Sequence, residues 1–183
     1  NDDQPSISGS FSLSMWFSLS ESMLSFSTEG FLFYLHDYCF AVSVYEGERI
    51  DLYFENSAYY FDQITVSADG DANWHHLLIA VNQTSSGAGS YHLYFDGDAF
   101  DDGDNVLDGP VSCSANLMYL GYLYDGSLDD YRHFDETLDA SSALRVFNDG
   151  RTEGACVTTM SRSAAPSPSP TMPIIFSCNF EVD

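Results

Sequence analysis

Apolar and polar residues alternate with a period of two through much of this chain, the spacing at which successive side chains of a β-strand reach opposite faces. Phe11, Leu13, Met15, Phe17 and Leu19 alternate with Ser10, Ser12, Ser14, Trp16 and Ser18, which predicts a half-buried strand. Between Trp74 and Val81 the pattern changes: Leu77, Ile79 and Val81 share one face, Leu78 and Ala80 the other. Both faces are apolar, so this segment reads as a central strand covered on both sides. A polar Gly/Ser-rich loop over Asn82 to Ser90 leads to a second strand, where Tyr91, Leu93 and Phe95 alternate with His92 and Tyr94. One of its faces belongs in a core and the other is partly wet. Asp96-Gly97 then supplies the residue types of a tight hairpin turn.

Further strands are expected in Phe31 to Tyr45, broken near His36-Asp37, and in Ile50 to Phe54, Tyr59 to Val66, Val111 to Leu120 and Tyr122 to Tyr124. Short strands between Gly/Asp/Asn turns predict an all-β, two-sheet antiparallel sandwich rather than a βαβ fold. One short helix stands out over Ala140 to Asn148, with Asp139 as N-cap, Leu144 and Phe147 toward the core, and Gly150 as its stop. Ser161 to Pro173 holds four of the six prolines and reads as an extended linker. The expected organisation is a sandwich over residues 1–160, a Ser/Pro-rich linker over 161–173, and a C-terminal strand over 174–183 that returns to the sandwich.

Two ordered elements carry a family resemblance. The first is Trp74-His75-His76, the apolar strand, the loop, and a strand ending in Phe95-Asp96-Gly97; the second, Leu120 to Phe134, reads LGYLYDGSLDDYRHF. Over roughly Phe11 to Val157 the chain resembles the laminin G-like and pentraxin-like modules of the concanavalin A-like lectin/glucanase superfamily. The resemblance implies a jelly-roll sandwich. It says less about function, because lectins, adhesion modules, structural domains and hydrolases share that fold.

Twenty-eight acidic residues against five arginines and no lysine leave a formal net charge of −23. Such a field repels nucleic acid and anionic lipid, whose binding depends on Lys and Arg displacing counterions. No stretch approaches the roughly 20 apolar residues of a membrane span. Cys39, Cys113, Cys156 and Cys178 form no Cys-x-x-Cys unit, so they point to disulfides in an oxidising compartment rather than to zinc. Three pairings are possible; the expected one is Cys39–Cys113 with Cys156–Cys178, the latter closing a loop at a gain of about 3 kcal/mol. Asn82-Gln83-Thr84 is an N-glycosylation sequon in the expected hairpin loop.

Calcium is the cofactor that the aspartates suggest. Asp96, Asp98, Asp102 and Asp104, with Asp129, offer more carboxylates than turn chemistry needs, and Asp125 and Asp130 lie nearby in sequence. The glucanases of the superfamily carry Glu-x-Asp-x-Glu on one strand; the Glu-x-Asp of this chain is Glu181-Val182-Asp183 at its last residues, so an enzyme is not expected. His75 and His76, being adjacent on a strand, point to opposite faces and do not suit one metal. Tyr34, Tyr38, Tyr59, Tyr60, Tyr119, Tyr122 and Tyr124 are the aromatics that could stack on sugars or pack against partner subunits. The expectation is a non-catalytic extracellular module, secreted or at the cell surface, that binds glycans or proteins within a larger glycoprotein. The alternative is a self-assembling structural subunit of an extracellular filament or matrix.

Overall fold

The computed structural model describes residues 6–20, 23, 29–35, 39–45, 49–54, 57–62, 74–84, 89–100, 105–107, 109, 111–114 and 118–152. In chain order these form β1 (Ser6–Ser8), β2 (Phe11–Leu19), β3 (Glu29–Leu35), β4 (Phe40–Tyr45), β5 (Arg49–Phe54), β6 (Ser57–Asp62) and β7 (His75–Gln83). There follow β8 (Gly89–Phe95), β9 (Asp98–Ala99), β10 (Asn105–Leu107), β11 (Ser112–Ser114), β12 (Met118–Tyr122), β13 (Gly126–Phe134) and α1 (Ala140–Thr152). A six-stranded sheet has the order β10-β8-β7-β2-β13, with β9 paired to β8; a five-stranded sheet has the order β12-β3-β4-β5-β6; β1 and β11 form a separate pair. Neighbouring strands run antiparallel, and the fold is the two-sheet jelly-roll sandwich that the pattern and the resemblance lead one to expect, with α1 packed on it.

Alternation decides what lies between the sheets. Phe11, Leu13, Met15 and Phe17 of β2 and Leu77, Ile79 and Val81 of β7 meet Phe33, Phe40, Val42, Val44, Ile50 and Leu52 from the opposite sheet. Phe40 is the hub of the ring contacts, with centroids 5.5 Å from Phe11, 5.5 Å from Phe33 and 5.1 Å from Phe54. Each such side chain contributes about 1.5–3 kcal/mol by leaving water.

The outer face of the six-stranded sheet is covered too. Leu78 and Ala80 of β7 and Tyr94 of β8 pack against Leu138, Ala143 and Val146, so β7 is buried on both faces as its sequence requires. For β2 the half-buried expectation fails: Ser12, Ser14 and Ser18 are 0%, 1% and 4% exposed. The physical reason is that serines can be buried when their hydroxyls are satisfied. Ser12 Oγ donates to Glu136 O at 2.8 Å and accepts from Leu138 N at 2.9 Å. Ser14 Oγ lies 2.8 Å from His76 Nε2. These small side chains let the helix come close.

The Asp139 cap is as expected: its Oδ1 accepts from Ser142 N at 2.8 Å and from Ser141 Oγ at 2.9 Å. The Ser142 amide, first among these donors, holds the carboxyl below its usual range. Beyond the cap the helix differs from expectation. It continues past Asn148 to Thr152, and Leu144 is 45% exposed while Ala143 and Val146 are buried. Gly150 is not a stop but lies within the helix, where a Cβ would stand 2.2 Å from Trp16 Nε1. Its role is to let the helix backbone lie against the indole.

Other boundaries also move. β6 begins earlier than expected, at Ser57, and residues 63–66 of the expected strand lie outside the described residues; the expected strand over Val111 to Leu120 contributes to β11 and β12, which pair with different partners. β13 was not anticipated as a strand. A bulge between Asp129 and Arg132, with Asp130 at φ 49°, breaks the alternation by which it would have been read. The linker 161–173 and the strand 174–183 lie outside the described residues.

His76 belongs to the layer beneath the helix, 1% exposed, with its ring 5.1 Å from Trp16 and 5.7 Å from Phe147. Burial lowers its pKa to about 4, against the pull of the Asp96 charge and with a further push from Arg132. Between the unfolded value near 6.5 and about 4, the unfolded chain binds the proton and the folded chain does not. The associated stability is therefore complete above pH 6.5 and falls as the pH drops, by about 3 kcal/mol at the lower limit.

Two outcomes follow. Urea unfolding of the wild type from pH 7 to pH 4 should show this loss, and His76→Gln, which keeps a polar group facing Ser14 without titrating, should show a shallower one. Comparing the two cancels the pH dependence of the carboxylates. Gly150→Ala, which in an open helix would stabilise by about 1 kcal/mol, should instead destabilise by about 1–3 kcal/mol through overpacking against Trp16. A rise in melting temperature for that variant would mean that the indole moves aside freely.

Candidate functional site: an aromatic cleft beside the helix

Asp96-Gly97 closes β8 onto β9 in a two-residue turn, with Phe95 opposite Asp98. Both turn residues have positive φ, 51° and 88°, the geometry that suits the right-handed twist of a hairpin. Gly97 is needed twice over, because a Cβ would also stand 2.6 Å from Phe147 Cδ1 and 3.1 Å from Leu144 Cδ1. The turn is therefore tucked against the helix.

Asp96 secures the turn to β7. Its Oδ2 lies 2.8 Å from His75 Nδ1 and its Oδ1 accepts from the His76 amide at 2.8 Å. His75 faces the main core, stacked on Phe95 at 5.1 Å, while His76 faces the helix. The two rings lie on opposite faces, as adjacent strand residues should, and do not converge on one ion.

A cleft of about 540 Å³ opens beside this turn, lined by Trp16, Trp74, Asp96, Asp98, Leu144, Phe147 and Asn148. Trp16 stacks on Phe147 at 5.5 Å with 18° between the planes. Trp74, immediately before β7, is 42% exposed. Asn148 Nδ2 donates to Leu144 O at 2.9 Å, leaving its carbonyl oxygen for other use. Exposed indole and carboxylates side by side can do two things at once: stack on the C–H face of a ring and accept hydrogen bonds from its substituents. Both tryptophans of the chain lie here.

Of the aspartates expected to hold calcium, Asp96 and Asp98 line the cleft. Asp129 pairs opposite Trp16 on β13, and its Oδ1 accepts from the Asp130 amide at 2.8 Å. Asp102 and Asp104 lie outside the described residues. Among the described residues no group of three or more His, Cys, Asp or Glu side chains converges on a point where an ion could sit. These side chains do not by themselves fit a calcium site, which takes six to eight oxygens.

The tyrosines divide. Tyr34, Tyr119 and Tyr122 cluster, Tyr34 stacked on Tyr122 at 5.4 Å and Tyr119 tilted against Tyr122 at 5.2 Å, with Phe31 5.2 Å from Tyr34. They lie on β3 and β12 of the five-stranded sheet. Tyr124, another of the tyrosines that could stack on sugars, is buried, its hydroxyl donating to Ser18 O at 2.6 Å, and burial pushes the phenol far up. Tyr38 and the side chains of Tyr59 and Tyr60 lie outside the described residues. Asn82 is exposed, but it is paired with Ser90 in β7 rather than carried in the loop. Cys39 is disulfide-bonded. The side chain of Cys113 and residues Cys156 and Cys178 lie outside the described residues, so the expected pairing is not decided.

Trp16, Trp74, Phe147 and Asn148 were not anticipated as site residues. The signal was there in Trp16, a large aromatic in a row of serines on the polar face of β2.

Among the described residues no helix is long and apolar enough to cross a membrane. No curated protein sequence matches the chain. Solved structures do resemble it. The botulinum neurotoxin serotype D binding domain has TM-score 0.52 and 17% identity, covering 82% of this chain and 38% of its own. A structure of botulinum neurotoxin type C, described as dependent for cell entry on interaction with two ganglioside molecules, has TM-score 0.57 and 17% identity, covering 79% and 36%. The native heptameric SAP-like pentraxin from Limulus polyphemus has TM-score 0.55 and 14% identity, covering 79% and 71%. The chain thus spans well under half of the toxin structures it matches, and at these identities the likeness is one of fold. The family model Laminin_G_3 matches residues 1–143, and the chain accordingly belongs to the concanavalin A-like lectin/glucanases superfamily.

Proposed function

We propose that this chain is a non-catalytic glycan-binding module that works outside the cell, with the cleft beside α1 as its binding site. The observation that carries the reading is the convergence of Trp16, Trp74 and Phe147 with Asp96, Asp98 and Asn148 on one open cleft. The exposed indole of Trp74 offers a face on which a sugar ring can stack, with carboxylates beside it to take the ring's hydroxyls. The disulfide at Cys39 supports an oxidising, extracellular setting. The neurotoxin structure described by its interaction with gangliosides supports glycan binding on this fold. Calcium remains a proposal for the aspartate-rich segment that follows β9, not for the cleft.

The test is a glycan array probed with the intact chain, followed by titration of the hits. Trp74→Ala should weaken binding by about tenfold or more, equal to about 1.4 kcal/mol, with little change in melting temperature because the side chain is exposed. Unchanged affinity in Trp74→Ala would remove the cleft from the reading. Repeating the titration with chelator tests calcium: loss of binding on chelation, restored by calcium and not by magnesium, is the outcome that supports it.

A second reading, the self-assembling subunit, is favoured by β12. It is an end strand of the five-stranded sheet; Met118 and Tyr122 are exposed along it, and Leu123 is exposed in the turn that follows. An apolar edge of this kind invites strand pairing with another copy. Sedimentation should then show concentration-dependent association that Leu123→Lys abolishes; a monomer at all concentrations would dispose of this reading.

A further inference from the structure

The cleft's polar groups are unequal in kind, and this bears on which glycans it can take, given the glycan-binding reading on which this inference rests. Asp98 presents an exposed carboxylate. Asp96 spends one lone pair of each oxygen on His75 and the His76 amide and has others left. Asn148 gives one amide N–H to Leu144 O and keeps the other N–H and its carbonyl oxygen. All three are acceptors. On the donor side, the N–H of Trp16 is buried against Gly150, so the indole of Trp74 and the second amide N–H of Asn148 are the donors available from the described lining. The described lining holds two carboxylates and no cationic side chain.

A sialylated or sulfated sugar brings acceptors and negative charge to a wall of acceptors and negative charge. An N-acetyl group is neutral and gains nothing from the two carboxylates. A free amine on a sugar ring has the matching chemistry: as ammonium it carries N–H donors, it is drawn to paired carboxylates, and it is attracted to the face of an indole. We infer that the cleft between Trp74 and the Asp96–Asp98 turn selects amino sugars with a free amine, in preference to their N-acetylated forms and to anionic glycans.

Because the chain has two tryptophans and both line the cleft, intrinsic indole fluorescence reports on it without a label. The intact chain is titrated near physiological salt with a glucosamine tetramer, an N-acetylglucosamine tetramer, sialyllactose and spermine. Saturable change with the glucosamine tetramer is expected, weaker by about tenfold for the acetylated tetramer and absent for sialyllactose. Asp98→Asn should bring the two tetramers to similar affinity, and Arg151→Ala, at the end of α1, should leave the order unchanged.

Equal binding of the two tetramers overturns the amine selection and leaves the glycan reading standing. A response to spermine as strong as to the glucosamine tetramer overturns it as well, since charge attraction alone would then suffice. If no sugar on the array or in the titration binds, the glycan reading itself falls. Preference for sialyllactose would overturn the inference outright.

Discussion

β7 has no polar face, and most of the molecule is arranged by that fact. A strand with Leu77, Ile79 and Val81 on one side and Leu78 and Ala80 on the other needs two covers. The five-stranded sheet provides one and α1 with its approach segment provides the other. The neighbouring strand β2 must tolerate the second cover although its outer face is serine. It does so because Ser12 bonds to Glu136 O and Leu138 N, which the cover itself brings, and Ser14 to the ring of His76 on β7. Removing a partner from such a buried hydroxyl would cost more than the bond contributes, so the helix and the serine row depend on each other.

Close approach then sets the shape of the rim. The helix can lie on the sheet because glycine stands where it meets Trp16 and again where Phe147 meets the turn. At that edge the cover ends and Trp74 is left partly in water. The cleft is what remains where a short helix meets the end of a longer sheet. Its walls are the same residues that hold the helix in place, so the shape of the site is inherited from packing rather than from a mobile loop.

The architecture could be read from the sequence because it rests on short-range signals. Period two along β2, β7 and β8, the Asp-Gly turn and the Asp139 cap each depend on residues within a few positions of one another. What could not be read depends on contacts between distant segments. Ser12 and Ser14 look wet in sequence and are dry because of residues beyond position 130. Gly150 looks like a helix stop until Trp16 is placed beside it. β13 hides behind a bulge. The cleft joins positions near 16, 74, 97 and 146, and no local pattern could have grouped them.

The acidic residues divide by what the fold asks of them. Read as a pool of carboxylates, they suggest a metal; placed in the fold, many have local work. Asp139 caps a helix, Asp51 binds Arg49 at 2.7 Å, Asp130 holds Arg132, and Asp96 ties a turn to a strand. The net charge of −23 still surrounds the molecule, but at physiological salt it is screened over about 8 Å and acts mainly on the rate of encounter. Discrimination between ligands must come from charges in contact with them. In the cleft those are Asp96, which is anchored and cannot turn away, and Asp98, which stands free at the exposed side of the same turn; an anchored and a free carboxylate one turn apart can follow a ligand's ammonium without giving up the fold.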